Sequence, residues 1–196
     1  MGVDVDPEPL AWCCDHLAPQ LEPTQRERLE LVCVDVLEVA SQPTDLILAF
    51  NCSFCVFKGR NRLKAYFRNC HSTLVDDGML VLELYAGPEA QMVGVDRVQC
   101  GDFVAVWEQA SFNAVTHDAL NFIHFENADG SRLQKAFVYD WRLWTPVELT
   151  ETLLECGFKE ARVYRKQTII SGQFSISESS HADVPDYWEL FIVGIR

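Results

Sequence analysis

Apolar positions along the chain follow two rhythms, and the change between them divides the sequence. Leu63, Tyr66, Phe67, Cys70 and Leu74 recur at helical spacing, which predicts an amphipathic helix over 61–74. Residues 45–50 (Asp-Leu-Ile-Leu-Ala-Phe) and 79–85 (Met-Leu-Val-Leu-Glu-Leu-Tyr) are continuous apolar runs, as in strands buried on both faces. A shorter run of this kind, 29–34, leads to Asp35. Near the start, Leu10, Cys13, Cys14 and Leu17 share one face of a helix predicted over 7–18. Asp6 can cap it, Pro7 suits its first position, Glu8 favours its positive end, and Pro19 stops it. The residues just before, through Asp4, read as the end of a buried parallel strand. Residues 20–28 read as a polar connection and 36–43 as a turn or short helix. Strands alternating with helices in this way predict a parallel sheet covered on both faces.

The rhythm then becomes partly two-residue. Segments 103–109, 119–126 and 132–144 alternate like half-buried strands, with Phe137, Tyr139, Trp141 and Leu143 on one face of the last. Asn127-Ala128-Asp129-Gly130 suits a hairpin turn. These segments predict a three-stranded antiparallel lid, occupying 87–144 within a single domain of 1–196. The α/β rhythm resumes at Thr145-Pro146-Val147-Glu148, a capping box with proline at the first helical position. Leu149, Leu153 and Cys156 form the buried stripe of that helix, Gly157 its stop, and Phe158 its closing contact. Strands follow at 161–164 and 188–195, with a serine-rich loop predicted over 167–186.

Composition narrows the function. The 196 residues carry a formal charge of −13, which repels phosphate backbones and argues against a nucleic-acid partner. No apolar run reaches the length of a membrane span, and the N-terminus lacks the features of a signal peptide, so a cytoplasmic protein is expected. The 8 cysteines sit mostly within apolar runs, as small buried hydrophobes do. Cys52 and Cys55 form a C-x-x-C pair without the further ligands that zinc would need.

The ordered motifs resemble the class I S-adenosylmethionine-dependent methyltransferases. Gly2-Val3-Asp4-Val5-Asp6-Pro7 is similar to that family's second strand and its acidic tip. Val34-Asp35-Val36-Leu37 resembles its third-strand tip, and residues 45–51 its fourth strand. Residues 74–81 resemble the approach to its fifth strand; 143–149 and Cys156-Gly157-Phe158 resemble a later helix. The resemblance implies a Rossmann-like α/β sheet of family order 3-2-1-4-5-7-6, S-adenosylmethionine as cofactor, and methyl transfer to a small molecule. It implies that Asp4 holds the ribose hydroxyls and Asp35 the adenine amino group, with Val36 and Leu37 beside the ring. Asn51 would lie near the transferred methyl. Tyr85, Trp107, Tyr139 and Trp141 are the expected substrate wall. The family's glycine-rich first strand and helix have no counterpart here; the chain is expected to start one strand and one helix late.

Simpler readings stand beside these. Asp4 and Asp35 are also what solvated strand ends look like, and the lid aromatics also suit a core. His117 and His124 are candidate general bases, because imidazole titrates near neutrality; no catalytic residue is assigned. One alternative function is a truncated or degenerate methyltransferase-like protein acting as a non-catalytic binding subunit. Another is a dehydrogenase, which the lack of any G-x-G-x-x-G disfavours.

Overall fold

The computed structural model describes residues 1–39, 42–168, 174–179 and 188–196. It resolves into two compact units, Met1–Pro43 and Thr44–Arg196.

In the first unit, strand β1 (Gly2–Asp4) pairs in parallel with β2 (Leu31–Cys33), aligning Asp4 with Cys33. Between them lies α1 (Pro7–Trp12), capped as predicted: the Asp6 side chain accepts the Glu8 N–H at 2.9 Å. Past Trp12 the helix widens to a π turn over Cys13–Leu17, then tightens to a 3₁₀ turn over Ala18–Gln20. The predicted apolar face is correspondingly shallow, with Cys14 and Leu17 exposed. The expected polar connection contains a short helix, α2 (Pro23–Arg26), closed by a reciprocal box between Glu22 and Gln25.

The second unit holds a five-stranded sheet built from β3 (Thr44–Ala49), β4 (Leu74–Ala86), β9 (Glu160–Thr168), β10 (Phe174–Glu178) and β11 (Trp188–Ile195). Its order is β10-β9-β11-β4-β3, with β3 parallel to β4 and the other neighbours antiparallel. Within this sheet the parallel pairing expected throughout therefore holds, among the described residues, for β3 and β4 alone. The last strand inserts between β4 and β9, so a strand running the other way separates two that run together. Part of the serine-rich stretch expected to be a loop is β10 and the end of β9; residues 169–173 and 180–187 lie outside the described residues.

One face of this sheet carries the core. Leu80, Leu82 and Leu84 of β4 and Ile192 of β11 are fully buried. Against that side lie α3 (Arg60–Thr73), which buries Leu63, Tyr66, Phe67 and Cys70, and α4 (Pro146–Glu155), which buries Leu149 and Leu153. Each such side chain contributes about 1.5–3 kcal/mol of transfer free energy. At the end of α4, Gly157 adopts φ 106°, the Gly157 N–H donates to Leu154 O, and the Phe158 N–H donates to Leu153 O. This double bond pattern satisfies carbonyls that the helix would otherwise leave unpaired. Phe158 then packs where a Gly194 Cβ would come within 2.8 Å of its ring, so Gly194 sets how closely this helix end approaches β11.

The reverse face differs from the sequence expectation. Leu46 is 45% exposed and Leu48 53%, although their run reads as doubly buried. Among the described residues β3 pairs only with β4, which makes it an edge strand. Apolar continuity describes composition; pairing depends on which segments reach the strand.

The lid region is a separate four-stranded antiparallel sheet: β5 (Gly94–Cys100), β6 (Phe103–Phe112), β7 (Asp118–Asn127) and β8 (Arg132–Arg142), in that order. The three expected strands are present. The fourth, β5, is exposed along most of its length, so it carries no alternating signal. The predicted turn closes β7 to β8, with Asn127 bonded to Ser131 and Gly130 at φ 85°.

Candidate functional site

Two sets of predicted residues sit at strand ends, one in each unit. In the first unit, Asp4 is the last residue of β1 and Asp35 follows β2 by two residues, so both lie at the carboxyl ends of adjacent parallel strands, where open α/β sheets bind ligands. The strands are locked there by a bond from Val34 N–H to Asp4 O at 3.0 Å. Each carboxylate shapes its own turn. Asp4 Oδ1 accepts the Asp6 N–H at 2.9 Å, and Asp35 Oδ1 accepts the Leu37 N–H at 2.8 Å. Each acid has a second oxygen, and carboxylates accept from diols and amino groups alike. Asp4, Asp35, Val36 and Leu37 are all half-buried, the state expected of a ligand-facing rim.

In the second unit, the chain leaves β3 through two consecutive left-handed residues, Asn51 (φ 53°) and Cys52 (φ 52°). Neither is glycine, so the turn is strained by an amount on the order of 1–3 kcal/mol per residue. Two contacts from β4 hold it. The Glu83 carboxylate accepts the Asn51 N–H at 2.7 Å, and the Tyr85 N–H donates to Cys52 Sγ at 3.3 Å. Tyr85 therefore reaches the tip of β3 through its backbone. Cys52 and Cys55 are both buried and interact: the Cys55 contact lowers the Cys52 thiol pKa, while the same contact and burial push Cys55 well up.

The loop after this turn is tied to the base of the lid. Lys58 pairs with Asp140 and, at 3.7 Å, with Asp118. Arg142 donates to Lys58 O at 3.1 Å and to Glu148 Oε1 at 2.8 Å, while its guanidinium lies 3.7 Å from the centre of the Trp144 ring. One arginine thus joins the loop, the last lid strand and the first turn of α4.

The lid brings Trp107, Tyr139 and Trp141 together. Tyr139 lies 4.6 Å from Trp141 and 5.8 Å from Trp107, ring centre to ring centre, and the two tryptophans are 6.0 Å apart. All three project from one sheet face, because Trp107 pairs with Ile123, Asn121 with Tyr139 and Ala119 with Trp141. His124 belongs to the opposite face. Its Nδ1 accepts the Lys135 N–H at 2.9 Å, so Nε2 carries the proton given to Glu108 Oε2 at 2.9 Å. Both nitrogens are engaged, and the ring is 3% exposed. His117 donates through Nδ1 to Leu143 O at 3.2 Å. With both nitrogens engaged, His124 is no ready base, whereas the Nδ1 contact of His117 leaves its Nε2 as the acceptor. Sequence reasoning missed Glu83, Arg142 and the buried amides Gln109 and Asn121, each isolated among apolar or alternating neighbours.

No helix among the described residues is long and apolar enough to cross a membrane. No protein-family model matches the chain. No curated protein sequence matches it either. Solved structures do. An S-adenosylmethionine-dependent methyltransferase from Clostridium acetobutylicum superposes with a TM-score of 0.69 at 15% identity, covering 98% of this chain and 73% of that one. CalS10, an amino pentose methyltransferase from Micromonospora echinaspora with SAM bound, gives 0.61 at 16%, covering 98% and 72%. The sugar N-methyltransferase KedS8 from a Streptoalloteichus species gives 0.60 at 16%, covering 100% and 70%. The fold is that of the class I S-adenosylmethionine-dependent methyltransferases. Its strand order agrees: β2-β1 matches the family's 3-2, and β3-β4-β11-β9 its 4-5-7-6.

Proposed function

We propose that this protein binds S-adenosylmethionine and transfers its methyl group to a small-molecule acceptor. The observation that carries this reading is the placement of Asp4 and Asp35 at the carboxyl ends of adjacent parallel strands. Their chemistry fits the cofactor: one carboxylate suits a ribose diol, the other an exocyclic amine, and Val36 and Leu37 offer apolar surface to a purine. Asn51, on its strained turn, is assigned to the methionine end. Tyr85, Trp107, Tyr139 and Trp141 are assigned to the acceptor.

When bound, the cofactor supplies a methyl group on a cationic sulfur. The protein's own residues then have two tasks. They hold the acceptor lone pair in line with the methyl, and they exclude water; direct displacement needs no covalent enzyme group. Aromatic faces serve both tasks, since they pack against the acceptor and tolerate positive charge. Cytosolic placement and the absence of a nucleic-acid partner belong to the same proposal. All 8 thiols are free, with Cys14 and Cys33 exposed, as suits a reducing compartment.

Calorimetric titration with S-adenosylhomocysteine tests the proposal. Saturable binding is expected. Failure to bind at millimolar ligand would favour the reading of a non-catalytic, methyltransferase-like subunit.

A further inference from the structure

The aromatic face of the lid holds a polar atom whose environment gives it no role within the fold. Asn121 is 1% exposed, and its Oδ1 has no hydrogen-bond partner among the described residues. An unmet buried acceptor of this kind is costly and is a reason to look for a missing donor. The register locates it closely. Asn121 lies directly between Gln109 on β6 and Tyr139 on β8, one row from Trp141 and one row from Trp107. Gln109 is committed elsewhere, donating to Ala90 O at 2.8 Å.

Charge on this face points to the ligand's chemistry. Following the pairing across all four strands, the one ionisable acid on the face is Asp96, opposite Trp107. The basic side chains of these strands belong to the other face: Arg97 and Arg132 pair with Glu126, Lys135 lies over Phe122, and Arg142 turns to Glu148. A face with aromatic rings, a carbonyl acceptor and a carboxylate, and with no cation from these four strands, suits a donor that is itself positive or readily becomes so.

We propose that Asn121, walled by Trp107, Tyr139 and Trp141, is a recognition site for an amino group on the substrate. Asn121 Oδ1 accepts an N–H of that amine, the rings pack against its carbon skeleton, and Asp96 adds attraction at the rim. This rests on reading the lid face as the acceptor side of a methyltransferase. It adds the chemical class, an amine rather than a carboxylate or phosphate, and a binding residue outside the expected aromatic wall.

Cyclohexylamine, cyclohexanol and cyclohexanecarboxylate serve as probes, titrated against the whole chain and followed by tryptophan emission. The amine is expected to bind and the carboxylate not to bind. Asn121→Leu is expected to weaken the amine by about tenfold or more, the loss of a charge-assisted hydrogen bond. Asn121→Asp is expected to retain or tighten it. Asn121→Leu is also expected to melt higher than the parent, because an orphaned polar atom becomes apolar. Equal binding of amine and carboxylate, or unchanged amine affinity in Asn121→Leu, would overturn the assignment. So would a lower melting midpoint in Asn121→Leu, which would mean that the amide is satisfied within the fold. S-adenosylhomocysteine titrated against the same sample separates the two proposals. Amine binding without cofactor binding leaves this site standing and removes the methyltransferase reading; the reverse result does the opposite.

Discussion

The carboxylate of Glu83 accepts the backbone N–H of Asn51 at 2.7 Å, so an acid in the middle of β4 fixes a left-handed turn at the end of β3. The two strands are parallel neighbours, and this contact caps one with the side chain of the other. Glu83→Leu is expected to release the turn. Its stability should fall by about 1.5 kcal/mol, the low end for a hydrogen bond to a charged group because the contact is solvent-accessible. Backbone amides from Asn51 to Gly59 should exchange faster in hydrogen-exchange mass spectrometry, while those of α3 should not change.

Asp4→Asn and Asp35→Asn each keep the local turn, since an amide oxygen can replace the carboxylate oxygen that now accepts a backbone N–H. Each should weaken S-adenosylhomocysteine by about tenfold, as charge-assisted bonds become neutral ones. Calorimetry measures this directly. Unchanged affinity in both variants would remove the two acids from the cofactor site.

Glu148 gives a stability signal that depends on pH. Burial pushes its pKa up, but the Thr145 N–H and hydroxyl and the Arg142 guanidinium together hold it below the usual carboxylate value. A carboxyl lowered in the folded state binds its proton more readily when unfolded. Its contribution is therefore complete above the ordinary glutamate pKa and is lost as pH falls through the lower folded value. Glu148→Gln should melt below the parent at neutral pH and converge with it in acid. Thermal melts from pH 7 to pH 3 check the convergence.

Two glycines should resist substitution for different reasons. Gly157→Ala places a side chain at φ 106°, with its Cβ 3.3 Å from the His71 ring, and should cost about 1 kcal/mol or more. Gly194→Ala meets the Phe158 ring at 2.8 Å in an otherwise extended strand, and should cost about 1–3 kcal/mol through overpacking. Trimming the ring in Phe158→Leu should recover part of the second loss and none of the first. Denaturant melts of the single and double variants distinguish the two.

Elements dominated by short-range chemistry were legible in the chain. The helix through Leu63, Tyr66, Phe67 and Cys70 buries those four side chains as its spacing requires. The Thr145–Glu148 box forms both reciprocal bonds, at 2.9 and 3.2 Å. β5 was not legible, because a strand exposed along its length need not alternate. The acids of the proposed cofactor site stood out by resemblance, whereas Asn121 did not. An asparagine in a strand has no distinctive neighbours until its partners are known.

What the sequence determined by itself was most of the elements and the two acidic strand tips, since caps, turns and periodic apolar faces act over a few residues. Only the tertiary structure decided that the last strand inserts antiparallel between β4 and β9, that β3 is an edge, and that Trp107, Tyr139 and Trp141 share a face with Asn121. Those outcomes depend on pairing between distant segments. A shift of a single residue in register would send each lid side chain to the opposite face.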